Sequence, residues 1–324
     1  MIDLTIVVPV FNRAPLVRRC LRSCLSGAQQ NVEIVVVDDA STDGSVDTIR
    51  AIDDPRIRLV RQAENAGVCA ARNRGAAEAR GAWIAFLDSD DELVPGAVDI
   101  LLAATKSCGG EIGALYHRIQ HGAGIVSPTV VPKFGVLGYE DYIALMDRNL
   151  DHNRDVFQCM RASALAVVPW PLARMPELEF HLNFAKRFPI LMRDEVLYKV
   201  HDDAEGRLSM AMGSRDAASG GIERVLSMER ILDEHGEALR AHGNGLWRHM
   251  VANLLSLELI LARRRQARRI LGYGLRWRAG WPRLLSMFFL GSLSPAFLGR
   301  LRNLYKQSRA VFMRKNALSV SGKH

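Results

Sequence analysis

The sequence predicts an α/β fold built on a doubly wound, mainly parallel sheet, followed by a helical extension. Three observations carry that reading. Short apolar runs rich in β-branched residues alternate with helical patterns through the first hundred residues. Each run that reads as a buried strand stops at a polar cluster. The 324-residue chain is 48% apolar and 24% charged, the balance of a folded protein long enough to bury a large core.

Leu4–Val10 is an unbroken apolar run, as expected of a strand covered on both faces, and Asn12-Arg13 follow it. Ala14–Ser26 carries Leu16, Leu21 and Leu25 at helical spacing. Val32–Val37 is a second buried strand ending in Asp38-Asp39. Val46–Ile52 reads as a short helix, Ile57–Arg61 as a third strand and Val68–Ala79 as a helix opened by Asn65-Ala66-Gly67. Trp83–Leu87 is a fourth strand stopped by Asp88-Ser89-Asp90-Asp91, and Pro95–Thr105 returns to helix. Ligands of such sheets bind beyond the carboxyl ends of the strands, where these clusters fall.

Two carboxylates two residues apart, Asp88 and Asp90, can share one hard divalent cation and leave positions open for phosphate. The plainer reading is an acidic loop capping the next helix. Asp38-Asp39 offers acceptors for a base N–H or ribose hydroxyls, while Ser41, Thr42 and Asp43 are turn formers. No G-x-G-x-x-G follows the first strand and no G-x-x-x-x-G-K-[ST] occurs, which disfavours a dehydrogenase-type dinucleotide fold and a P-loop.

TIVVPVFNRA, VEIVVVDDASTDGS and NAGVCAARNRGAAEARGAWIAFLDSDDEL, in that order over about residues 3–105, resemble the N-terminal motifs of family-2 glycosyltransferases of the GT-A fold. The resemblance implies a mixed, mainly parallel sheet and inverting transfer of a sugar from a nucleotide-diphosphate sugar, with Mn²⁺ or Mg²⁺. It places Pro9, Phe11, Asn12 and Asp39 around the base, with Asp38 beside them, and Gly67 and Arg72 near the nucleotide. Asp88, with Ser89, is expected at the ribose or donor sugar, and Asp90 as the firmest metal ligand. Arg72 has a structural alternative as an ion pair; Asn73 and Gly75 are expected to pack against the sheet.

An inverting transferase needs a general base for the acceptor hydroxyl. Residues 176–187 resemble the family's acidic helix, which puts Glu177 at the base position and leaves Glu179 as the alternative. The usual Glu-Asp pair is absent, since Pro176 precedes Glu177 and a Glu replaces the common Asp. An acidic residue in a first helical turn after Pro is also favoured by the helix dipole alone. Residues 198–209 resemble the segment that returns to the metal. His201 is therefore expected as a third metal ligand and Arg207 as a diphosphate clamp. Glu111–Ile119 reads as a strand and Tyr139–Arg148 as a helix. The Pro- and Gly-bearing segment between them reads as a loop on the acceptor side.

The net charge of +8 divides unevenly. Residues 263–324 hold 15 Lys/Arg and no Asp or Glu, leaving 28 basic against 35 acidic side chains before them. Ser219–Arg240 and Leu246–Arg263 read as helices. Trp277, Trp281 and an apolar stretch, 284–298, then stand among arginines, and that stretch is too short to cross a bilayer. This is the composition of an interfacial helix on an anionic membrane surface, or of helices packed with a solvated basic face. No zinc spacing or aromatic nucleic-acid motif accompanies it, so nucleic acid is not an expected partner. Five cysteines without C-x-x-C spacing and an N-terminus without a basic n-region point to a reducing cytoplasmic setting, with attachment to the inner face of the cell membrane. Cys20 and Cys24 are expected to pack as small apolar residues.

The expected domains are 1–212, catalytic, with a nucleotide-sugar half (1–105) and an acceptor half (106–212), and 213–324, helical and basic. The expected function is a glycosyltransferase using a nucleotide-diphosphate sugar, with a weak lean to UDP. Its acceptor would be a glycan or a lipid-linked glycan, in surface polysaccharide or glycolipid synthesis. The alternatives are a sugar-phosphate nucleotidyltransferase and a membrane-bound nucleotide-sugar-binding module without catalysis.

Overall fold

Strand β1 (Leu4–Val10), buried at all seven positions, lies between β2 (Val32–Asp38) and β4 (Trp83–Phe86), with both pairings parallel. The computed structural model describes residues 2–27, 31–122, 124–150, 155–172, 177–201, 219–277 and 279–293. These fall into two compact units, Met1–Glu205 and Gly206–His324.

In the first unit, β3 (Ile57–Arg61) extends the sheet beyond β2, also in parallel. Helices α1 (Val17–Cys24), α2 (Ser45–Arg50) and α3 (Val68–Glu78) make the crossovers. A parallel pair needs such a connection, and it leaves the carboxyl ends of β1, β2 and β4 on one edge. Cys20 and Cys24 lie buried on one face of α1, and all five cysteines are free. Helix α3 packs hard on the sheet at Gly75, where a Cβ would come within 2.3 Å of Val7 Cγ1. No side chain fits there without displacing the Val7 side chain.

The remaining elements are β5 (Glu92–Leu93), α4 (Ala97–Ser107), β6 (Ala114–Gln120), β7 (Val126–Ser127), β8 (Gly135–Leu137), α5 (Tyr139–Arg148), β9 (Phe157–Arg161), α6 (Ala162–Val167), α7 (Glu177–Arg187) and β10 (Ile190–Lys199). Strand order is β3-β2-β1-β4-β9-β6-β10-β5, with β7 on β6 and β8 on β10. Strand β9 runs antiparallel to both β4 and β6, which makes the sheet mixed. Three differences from the sequence reading have simple causes. The strand expected from Glu111 starts at Ala114, because the chain is still turning at Gly110 and Glu111. The acceptor-side loop contains β8, whose three residues gain strand form by pairing with Ile190–Met192. Strand β9 was not foreseen, since its sequence, FQCMR, is neither a continuous apolar run nor a clean alternation.

The second unit comprises α8 (Ser219–His242), α9 (Asn244–Ile260), α10 (Arg264–Arg276) and α11 (Trp281–Leu293). Leu246, Trp247, Met250, Val251, Leu254 and Leu255 of α9 form its buried centre. At Gly274 of α10 a Cβ would lie 2.5 Å from Leu284 and 3.1 Å from Val251, so three helices cross closely there. Ala267 and Gly274 face inward, while Arg264, Arg265, Arg268 and Arg269 are exposed. The Arg240 guanidinium lies 3.7 Å over the Trp277 ring. Among the described residues no helix is long and apolar enough to cross a membrane.

Candidate functional site

Parallel pairing carries three loops to one edge. The Asp39 N–H reaches the Val10 carbonyl at 2.8 Å and the Leu87 N–H reaches that of Val7 at 3.0 Å, which continues the ladder to the brink of each loop. Asn12 has positive φ (51°), a conformation that asparagine accepts better than most residues. Its backbone N–H donates to Ser41 Oγ and its Oδ1 accepts the Thr42 N–H, tying the first loop to the second. Pro9 is buried in β1, whereas Phe11 is 43% exposed at the tip of its loop.

Asp38 and Asp39 are both buried. Asp38 accepts from the Ser41 N–H and from Arg61 Nε. Asp39 accepts from Gln62 Nε2, from the Ala66 N–H at 2.8 Å and from the Gly67 N–H at 2.9 Å. It therefore caps the start of α3, a favoured place for a carboxylate, and Gly67 supplies the φ of +90° that the turn needs. The two carboxylates thus fix the frame of the loop after β2 and of the turn into α3 by these bonds.

The loop after β4 holds the carboxylate pair. Asp88 is 45% exposed on its side chain and accepts from Arg72 Nη2 at 3.0 Å. Asp90 stands 3.9 Å from Arg13 Nε, and its carbonyl accepts from Arg19 at 2.7 Å. Ser89 is buried between them. Asp91, also buried, accepts from the Tyr198 hydroxyl at 2.7 Å and the His201 N–H at 2.9 Å, and so pins the end of β10 to this loop. Burial pushes the Asp91 carboxyl up to about 7; the His201 N–H and Tyr198 hydroxyl oppose the rise, and the Asp88 and Asp90 charges add to it. Nothing in the sequence pattern separated this anchoring Asp91 from its neighbours.

Arg72 is buried to 7% side-chain exposure in α3; burial disfavours its charge, and the Asp88 and Glu177 carboxylates nearby outweigh that and keep it charged. Its Nη1 lies 3.7 Å from Glu177 Oε1 and its Cζ 4.7 Å over the Trp170 ring. Glu177, the first residue of α7, is 64% exposed on its side chain, while Glu179 is buried. The structure thus brings Asp88, Arg72 and Glu177 together across more than 100 residues of sequence. Trp170 was missed. Asn73 grips its backbone through both the N–H (3.0 Å) and the carbonyl (2.7 Å), and Phe180 stacks on its ring at 3.8 Å.

His201 is not brought to Asp88 and Asp90. Its Nε2 is 2.6 Å from Glu92 Oε2, a partner supplied by the antiparallel pairing of β5 with β10. Among the described residues no three His, Cys, Asp or Glu side chains gather as a metal cage. The donor set that fits a divalent ion is the oxygen pair Asp88 and Asp90, since Mg²⁺-type ions use one or two carboxylates and complete their shell with phosphate and water. Pro176 and Arg207 lie outside the described residues.

A mixed sheet carrying a polar edge of this kind defines a nucleotide-diphospho-sugar transferase fold of GT-A type. The glycosyl transferase family 2 model matches residues 5–166, and the chain belongs to that family. The succinoglycan biosynthesis protein ExoO of Rhizobium meliloti is 41% identical over 110 residues, 34% of this chain and 32% of that protein. The chain thus matches about a third of the length of such curated relatives. Among solved structures, Staphylococcus aureus TarS 1-349 in complex with UDP-GlcNAc superposes with a TM-score of 0.63 at 15% identity, over 90% of this chain and 92% of that one. The mannosyltransferase PcManGT of Pyrobaculum calidifontis, in complex with GDP-Man and Mn²⁺, gives 0.52 at 15% identity over 94% and 87%.

Proposed function

We propose that this protein is an inverting glycosyltransferase that moves a sugar from a nucleotide-diphosphate sugar to a hydroxyl of a glycan or lipid-linked acceptor in surface polysaccharide synthesis. The observation that carries the reading is the convergence of Asn12, Asp39, Asp88 and Asp90 on one strand edge, with Glu177 joined to Asp88 through Arg72. Family membership and the donors bound by TarS and PcManGT support it.

Asn12 and Asp39 shape the base-side pocket, with Pro9, Phe11 and Asp38 around them and Gly67 and Arg72 toward the phosphates. Asp88, Ser89 and Asp90 face the diphosphate and donor sugar. A Mn²⁺ or Mg²⁺ ion held by Asp88 and Asp90 would neutralise the departing diphosphate. Glu177 takes the proton of the acceptor hydroxyl as its oxygen attacks the anomeric carbon from the face opposite the diphosphate. The exposure of Glu177 leaves its carboxylate accessible to an acceptor, whereas Glu179 is buried.

The exposed arginines of α10, with Leu275 and Trp277 exposed at its end, suit an anionic bilayer and support attachment to the inner face of the cell membrane. The catalytic test is Glu177→Gln, expected to lower transfer by at least about a hundredfold while nucleotide binding is retained. Turnover close to that of the parent protein would overturn Glu177 as the base.

A further inference from the structure

We infer that Arg72 is a positioning residue for the base, acting through Glu177, and not only a contact for the nucleotide. The inference rests on the reading of Glu177 as the base, and it starts from where the guanidinium is spent. A buried cation is costly unless compensated, and Arg72 has three compensating neighbours: Asp88 Oδ1 at 3.0 Å, Glu177 Oε1 at 3.7 Å and the face of Trp170 at 4.7 Å. Among the described residues only Nη2 makes a hydrogen bond; Nε and Nη1 are buried without one, and Nη1 is the nitrogen that faces Glu177.

The parts that set this geometry are rigid. Trp170 is held by two hydrogen bonds from Asn73, which neighbours Arg72 on α3. The other face of the block is Phe180, stacked at 3.8 Å and 14° on Trp170. Phe180 stands three residues after Glu177 on α7, so the two share a helix face. One aromatic block therefore sets both the guanidinium over Trp170 and the helix that bears Glu177. The side chain of Glu177 is 64% exposed, and the cation 3.7 Å from its Oε1 draws that oxygen toward Arg72. One guanidinium serves both carboxylates, so Arg72 sets where Glu177 stands relative to Asp88 on the donor-side loop.

The test is a double-mutant cycle of Arg72→Met and Glu177→Gln in the full chain. Nucleotide release is followed from UDP-, GDP-, dTDP- and CMP-sugars, and binding of the matching free nucleotide is followed by calorimetry. Arg72→Met is expected to lower kcat by about 10- to 100-fold in the parent but by less than about threefold in Glu177→Gln, because groups acting as one unit are not additive. Nucleotide affinity in Arg72→Met should fall much less than kcat. Equal losses in both backgrounds, or a loss confined to nucleotide affinity, would overturn the proposal. Normal turnover by Glu177→Gln would instead overturn the base assignment, a separate outcome. Should Arg72→Met fail to fold, Arg72→Lys completes the same cycle, since an ammonium keeps the charge but lacks the fork that spans two carboxylates. Full rescue by that lysine would also contradict a bridging role.

Discussion

His117 gives the clearest quantitative prediction. It sits in β6 opposite Phe157, fully buried, and among the described residues neither ring nitrogen has a hydrogen-bond partner. Burial pushes its pKa down to about 4, with Glu195 opposing and Arg193 adding to the fall. An unfolded histidine titrates near 6.5, so between about pH 6.5 and 4 the unfolded chain binds a proton that the folded chain does not. Stability is therefore lost as pH falls through that window, by about 3 kcal/mol at about 1.4 kcal/mol per pH unit. Asp91, raised to about 7, has the opposite slope: it favours the fold at low pH and loses that contribution as pH rises from about 4 to 7. The difference between the parent and His117→Leu cancels Asp91. Urea unfolding at pH 7.5 should show the variant equal to the parent or up to about 1 kcal/mol more stable, because no hydrogen bond is lost. At pH 4.5 its advantage should grow by about 2–3 kcal/mol. Parallel stability curves for the two proteins would refute the reasoning.

Gly75→Ala drives a Cβ into Val7 and should cost about 1–3 kcal/mol, read from the urea midpoint. Asn73→Ala removes both bonds to the Trp170 backbone and should cost a similar about 1–3 kcal/mol, with a red shift of tryptophan emission. Asp90→Asn is expected to weaken Mn²⁺ binding in the presence of free nucleotide by about tenfold or more, measured by calorimetry, with melting unchanged. Arg264→Glu with Arg268→Glu should abolish flotation with anionic vesicles, and raised salt should weaken flotation of the parent; flotation unaffected by either would refute membrane attachment through α10.

The strands that build the site were legible because β1, β2 and β4 are covered on both faces and so read as continuous apolar runs. Their polar terminators could be placed on one edge by topology alone. What pairs with what was not legible. Asp39 and Asp88 stood out as carboxylates, but Asp39 caps α3 only once β2 and α3 are side by side. The Glu92 partner of His201 depends on β5, a two-residue strand with no signature of its own. Trp170 lies 97 residues from the asparagine that holds it, in a stretch without periodicity. Short antiparallel strands such as β8 and β9 take their form from their neighbours, and so stay hidden until the sheet is assembled.

Whether this strand edge takes a nucleotide sugar is the most direct question to measure. Thermal melting with UDP-, GDP-, dTDP- and CMP-sugars in the presence of Mn²⁺ should show stabilisation by one nucleotide class, with the gain lost in a variant carrying Asp88→Asn and Asp90→Asn. Melting unmoved by all four classes would contradict nucleotide-sugar binding at this edge.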